Sequence, residues 1–174
     1  MKTYIAIDPG SKGFITVRTP EGQFGFYSIA DNDFYELGKI LRNIKTWYTD
    51  VFCAMEEVHA LFNSSAKSTF SFGEINGLLK GLLIANNIPF ELVAPKKWQK
   101  EIWSNSDVVV DNKKVVVKGV EQSRKEVNTK QTSFNAAKRL FPDIDLRKSE
   151  RCRNWDDNKV DSLLLCEYAR RKNL

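Results

Sequence analysis

The sequence predicts an α/β domain of three layers, with helices on both faces of a mixed sheet. Three observations predict it. Apolar segments follow the order β-β-β-α-β-α-β and then continue as helices. Tight turns join the first three strands, so these run antiparallel. The fourth strand comes after a helical crossover and should therefore lie parallel to an earlier one. A length of 174 residues suits a single core. No repeat, low-complexity tract or Gly/Ser linker divides the chain.

Tyr4-Ile5-Ala6-Ile7-Asp8 reads as a buried strand ended by the turn cluster Pro9-Gly10-Ser11-Lys12-Gly13. Phe14-Ile15-Thr16-Val17-Arg18 follows, then the turn Thr19-Pro20-Glu21-Gly22, then Phe24-Gly25-Phe26-Tyr27. Phe34, Leu37, Ile40, Leu41, Ile44 and Trp47 recur at helical spacing. Val51–Met55 is an apolar strand of doubly buried type. A second helix is expected from about Lys67 to Ala85, with Ile75, Leu78, Leu79, Leu82 and Leu83 as its stripe. Gly73, Gly77 and Gly81 recur every fourth residue on another line. Pro89–Val93 is a fifth strand stopped by Pro95, with Trp98 in a short helix beyond it. Asp107–Val117 suggests a hairpin, two Val-rich runs around Asp111-Asn112-Lys113-Lys114. Helices from about Gln131 to Leu140 and Asp157 to Arg171 complete the chain.

Composition removes several classes. No run of ~18 apolar residues is present to span a membrane, and the first residues lack the pattern of a signal peptide. Cys53, Cys152 and Cys166 are odd in number and far apart, which points to reduced thiols in a cytoplasmic setting. His59 is the sole histidine and no Cys-x-x-Cys pair exists, so a structural zinc site is not expected. Any metal must be held by carboxylates. Charge is uneven: residues 1–95 carry 8 basic and 10 acidic side chains, residues 96–174 carry 19 and 12. A basic second half suits a polyanionic partner, although it also suits a merely Lys-rich soluble protein.

The acidic residues concentrate where strands end. Asp8 closes the first strand, and Glu56-Glu57 close the fourth. If those strands pair, their ends stand roughly 5 Å apart, and carboxylates so close repel unless protonated or bridged by a cation. Asp156, Asp157 and Asp161 open the last helix, with Asp157 and Asp161 one turn apart on one face. Four converging carboxylates would suit Mg²⁺, and two ions can clamp an in-line phosphoryl displacement. Each acid also has a plainer reading. Asp8 could open a turn, Asp156 or Asp157 could be an N-cap, and Glu56 and Glu57 could mark an exposed strand end.

The motifs together carry a resemblance. Tyr4–Gly13, Met55-Glu56-Glu57-Val58-His59-Ala60, Ser68–Gly73 and Pro89–Lys100 follow one another in the order seen in RuvC-type Holliday junction resolvases. So do Lys130 with Ser133, Ala136-Ala137 and Leu140-Phe141-Pro142, and finally Asp157-x-x-x-Asp161-Ser162-Leu163-Leu164. The pattern is collinear from residue 3 to about 170 and is most similar to phage and organellar members. The resemblance implies a ribonuclease H-like fold with sheet order 3-2-1-4-5. The hairpin near 107–118 is an addition with no counterpart in that pattern. Its Lys113, Lys114 and Lys118 suit either duplex arms or the protection of an edge strand.

The resemblance further implies that Asp8, Glu56, Asp157 and Asp161 hold two Mg²⁺ ions, with Mn²⁺ able to substitute, and that no organic cofactor or membrane is involved. Glu57 ranks below Glu56. The spacing of Asp157 and Asp161 departs from relatives whose two ligands are three apart, which leaves Asp156 or Asn158 as rivals of Asp157. Lys130, with Lys125 as its rival, would sit near the scissile phosphate. His59 would take the place of a base-stacking aromatic at the crossover, with Phe62 just beyond, or be an ordinary loop residue. Ser11, Lys12, Ser64, Lys67, Lys96 and Lys97 would meet DNA. Gly73, Gly77 and Gly81 would form a homodimer interface, or else receive the chain's own last helix.

The implied activity is a crossover junction endodeoxyribonuclease that nicks opposing strands of a four-way junction and leaves 5′-phosphate ends. Its setting would be the cytoplasm of a bacterium or phage-infected cell, an organelle remaining open. Two alternatives remain: a nuclease of the same fold acting on other branched DNA or RNA–DNA hybrids, and a non-catalytic junction-binding module. An actin-like or sugar-kinase ATPase would need a second phosphate loop and more length.

Overall fold

The structure, a computed structural model, describes residues 2–58, 65–117 and 120–174. Its main sheet has five strands: β1 (Thr3–Ile7), β2 (Phe14–Arg18), β3 (Phe24–Ser28), β4 (Val51–Glu56) and β5 (Phe90–Val93). Their order is β3-β2-β1-β4-β5, the order expected. β1 pairs antiparallel with β2 and parallel with β4. The helices are α1 (Phe34–Trp47), α2 (Ala66–Ala85), α3 (Pro95–Ile102), α4 (Thr129–Leu140) and α5 (Asp157–Lys172). β1 is buried along its whole length because it is central and covered on both faces.

Two apolar layers sandwich the sheet. Ile5, Ile7, Cys53 and Met55 pack with Leu37, Leu41, Leu79 and Leu83 of α1 and α2. Tyr4, Ala6 and Ala54 pack on the opposite face with Trp98 of α3, Ala136 of α4 and Leu163 to Ala169 of α5. The side chain of Asp33 caps α1 by accepting from the Glu36 amide at 2.8 Å. Gly38 lets α2 approach, since a Cβ there would meet Leu82 at 3.3 Å. In α5 every residue from Val160 to Ala169 except Asp161 is buried, at ~1.5–3 kcal/mol for each large apolar side chain.

The turn after β1 is tightly folded. The Asp8 amide donates to the Phe14 carbonyl at 3.0 Å, and the Gly13 amide donates to Gly10 at 2.9 Å. A Cβ on Gly13 would lie 1.9 Å from the Asp8 carbonyl oxygen, so only glycine fits.

The expected hairpin is present, but its turn is displaced. β6 (Val110–Val117) and β7 (Val120–Val127) pair antiparallel as a separate two-stranded ribbon. Asp111-Asn112-Lys113-Lys114, expected to be the turn, lies within β6 and pairs with Ser123 to Glu126. Both faces of the ribbon's described part are in water. Its strand residues therefore carry the polarity that elsewhere marks a turn.

Candidate active site

Alternation along the strands decides which acids meet. Tyr4 and Ala6 of β1 face α5, while Ile5 and Ile7 face α1 and α2. Asp8, next in the alternation, belongs to the α5 side. Ala54 of β4 also faces α5, and Met55 faces away, so Glu56 joins Asp8. The parallel register pairing Ile7 with Met55 sets the two acids at neighbouring positions. Continued alternation assigns Glu57 to the other face, a physical reason for ranking it below Glu56.

Helix α5 is pinned over these strands by two polar contacts. The Thr16 and Ser162 hydroxyls lie 2.7 Å apart, and the Cys166 thiol donates to the Tyr4 carbonyl at 3.5 Å. Ser162 thus fixes its neighbour Asp161 at the acidic edge. Helix α4 adds two groups one turn apart: Lys130 forms an ion pair with Asp157, and the Ser133 hydroxyl donates to Asp161. Asp156 is the N-cap of α5, accepting from the amides of Asn158 and Lys159 at 3.0 and 3.1 Å. The capping alternative therefore holds for Asp156, while Asp157 turns to Lys130.

The electrostatics are those of a cluster with too much negative charge. Burial pushes the Asp8 carboxyl well above the usual range, reinforced by Glu56 and Asp161. Burial and then Asp161 raise Glu56 to about 7. Burial raises Asp161 to about 7 as well, with Asp157 adding to the effect and Ser133 and Lys130 opposing it. Desolvated like charges of this kind are relieved by protonation or by a cation. Among the described residues, no three His, Cys, Asp or Glu side chains are grouped closely enough to hold an ion as they stand. The donor set nonetheless fits a hard divalent cation: its groups are carboxylate oxygens, and their excess charge lacks compensation.

The remaining expected residues fall in several places. Ser11 and Lys67 are brought together with Ser68 and Ser71 around one concavity of about 340 Å³, beside exposed Lys12. Lys96 and Lys97 lie in the first turn of α3, where Lys97 pairs with Glu91 at 2.9 Å rather than joining the acids. Lys125 is on β7, opposite Asn112, so only Lys130 of the two rivals reaches the acidic helix. Gly73, Gly77 and Gly81 do not receive α5: a Cβ on any of them would meet open space. His59, Phe62 and Ser64 lie outside the described residues.

Sequence reasoning missed two polar partners. Ser133 could have been found by its position one turn after Lys130 on the same helix face. The second is an anchor at the far end of α4. There Arg139 donates twice to Asp107, through Nε at 2.9 Å and Nη2 at 2.7 Å. The Ser104 amide also donates to Asp107 at 2.7 Å. These partners, Arg139 foremost, lower Asp107 to about 2.

No family model matches this sequence, and no curated protein does. Among solved structures, the chain superposes on Thermus thermophilus RuvC in complex with a Holliday junction substrate. The TM-score is 0.57 and the identity 9%, over 99% of this chain and 96% of that one. The fold is RuvC-like. A second Thermus thermophilus RuvC structure superposes with a TM-score of 0.53 and 12% identity, over 98% and 96% of the two chains. The likeness is one of fold; in this chain Asp8 and Glu56 stand at the carboxyl ends of the parallel strands β1 and β4.

Proposed function

We propose that this chain is a divalent-cation-dependent endonuclease that resolves four-way DNA junctions by paired, symmetric nicks. The observation that carries the reading is the convergence of Asp8, Glu56 and Asp161 on one face, where each carboxyl is held above its usual range. The fold supports it, since a similar chain was solved with a Holliday junction substrate. The motif spacing supports a place nearest phage and organellar members.

Asp8, Glu56, Asp157 and Asp161 would hold two Mg²⁺ ions, or Mn²⁺ in their place. When bound, the cations supply charge neutralisation and polarise the phosphate oxygens. The chain's own groups do the rest. Ser133 orients Asp161. Lys130 leaves Asp157 for the scissile phosphate, where it offsets charge developing in the transition state. Ser11, Lys12 and Lys67 bind a neighbouring phosphate, and Lys96, Lys97 and Lys125 touch DNA farther out. By the same resemblance His59, Phe62 and Ser64 would also contact DNA, with His59 in the place of a base-stacking aromatic.

A homodimer would present two such sites to a substrate with two-fold symmetry. Its support is a stripe along α2 in which Phe70 is 74% exposed and Ile84 65% exposed. Gly73, Gly77 and Gly81 lie between them, open for close approach. No described helix is long and apolar enough to cross a membrane, and the described cysteines are free thiols, which supports a cytoplasmic setting.

Incubation with a labelled four-way junction and a matched duplex, with Mg²⁺ or EDTA, tests the reading. Symmetric junction cleavage that needs Mg²⁺ and disappears in Asp8→Asn and Asp161→Asn is the expected result. Equal cutting of duplex, or activity surviving both substitutions, overturns it.

A further inference from the structure

The β6–β7 ribbon is built unlike the rest of the molecule. Among the described residues its strands pair only with each other, over eight registers from Val110↔Val127 to Val117↔Val120. Lys113, Lys114, Arg124 and Lys125 are all exposed, so the described part of the ribbon covers no core. A two-stranded hairpin of this kind is marginal by itself. Its root, in contrast, is riveted down. The Asn128 amide donates to the Val109 carbonyl at 2.8 Å, and the Val109 amide donates to Thr132 Oγ1 of α4 at 3.1 Å. Asn135 donates to the Asp107 carbonyl at 3.1 Å, and the Asp107 side chain is gripped by Arg139. A rigid root carrying an unsupported blade suits an element whose second surface comes from a ligand.

Charge identifies that ligand. Across the ribbon Lys113 is directly opposite Arg124, a like-charge rung that costs stability in isolation. Lys125 and Lys114 occupy the registers on either side of that rung, on the other face, so four cations band the middle of the ribbon on both sides. The exposed ion pair from Lys113 to Glu126 at 2.8 Å is too solvated to account for such a band. The ribbon also runs directly into the candidate site. β7 ends at Val127, Asn128 caps α4, and Lys130 follows in its first turn. Asp111, Lys113, Glu126 and Lys130 line one concavity of about 280 Å³.

We propose that the ribbon is a duplex-arm clamp: it lies along the nucleic-acid duplex that leaves the catalytic site and holds its phosphates through Lys113, Arg124 and the cations flanking them. The proposal rests on the nuclease reading above and extends it. A two-stranded ribbon fits a major groove. Eight residues span about 27 Å, and at ~3.4 Å per base pair that covers about eight pairs beyond the crossover.

The test uses the full chain in EDTA, so that binding is read without cleavage. Fluorescence anisotropy measures Lys113→Ala/Arg124→Ala against wild type on junctions with arms of about 25 or about 6 base pairs. On long arms the variant should bind about tenfold more weakly, and its log–log salt slope should fall by about one unit per cation removed. On short arms the difference should shrink. Hydroxyl-radical footprinting of the wild type should show protection reaching about eight pairs along an arm, a readout independent of how the variant folds. A natively melting variant with wild-type affinity and slope, or a footprint confined to the crossover, overturns the clamp. Tight arm-dependent binding without any Mg²⁺-dependent cutting overturns the nuclease reading and leaves the clamp standing. A chain that binds neither junction overturns both.

Discussion

The two ends of α4 treat a carboxylate in opposite ways. At its C-terminal end Asp107 is only 3% exposed, yet Arg139 and Ser104 surround it with donors and hold it at about 2. Near its N-terminal end Asp161 receives Ser133 but faces other acids, and it rises to about 7. The first arrangement is complete within the chain and serves structure. The second is incomplete, and a fold that keeps three raised carboxyls close together gives up stability there, which the cation proposed above would restore.

Removing acids at the incomplete end should separate activity from stability. Asp8→Asn and Asp161→Asn should each lower junction cleavage at least ~100-fold. In EDTA the same variants should melt several degrees higher, at roughly 2–4 °C per kcal/mol for a chain of this size. A lower melting temperature would show that the acids are already compensated. At the complete end the signs reverse. Asp107→Ala strands the Arg139 guanidinium and should cost ~3 kcal/mol, or roughly 6–12 °C in melting temperature.

The pH dependence of stability in EDTA should carry both signatures. Asp8, Glu56 and Asp161 hold protons in the fold that the unfolded chain releases. The contribution of Glu56 and Asp161 is full below about 4 and is lost as pH climbs to about 7, and that of Asp8 is lost in the same direction as pH rises. The Asp107 contribution has the opposite sign: it is constant above about 4 and is lost as pH falls toward about 2. Calorimetry between pH 5 and pH 8 should show stability declining with pH, less steeply in Mg²⁺ than in EDTA. A rise over that window would remove the contrast.

The smallest stability effect is expected at Lys130, whose side chain is 70% exposed. Lys130→Ala should slow cleavage ~10–100-fold and move the melting temperature by about 1 °C or less. Lys125→Ala, out on the ribbon, should weaken binding rather than turnover.

Much of this was legible in the sequence, for reasons specific to each residue. The crossover before Val51 required a parallel strand, and strict alternation then carried Asp8 and Glu56 to one face. A spacing of four kept Asp157 and Asp161 on one side of α5. The Asp107–Arg139 pair was not legible, because residues 32 apart meet only after α3 and α4 have packed. The hairpin turn was misjudged for a different reason. A strand with water on both faces has no period-two signal, so Asp111–Lys114 carried the polarity of a turn.

Gly13 has a consequence for anyone mapping this protein by genetics. It bears no side chain, yet a single methyl group there would drive into the Asp8 carbonyl and swing that residue's carboxylate off its mark. A saturation screen for lost cleavage is expected to rank Gly13 beside the proposed ligands, and only melting curves and cation titrations would tell the mould from the carboxylates it shapes.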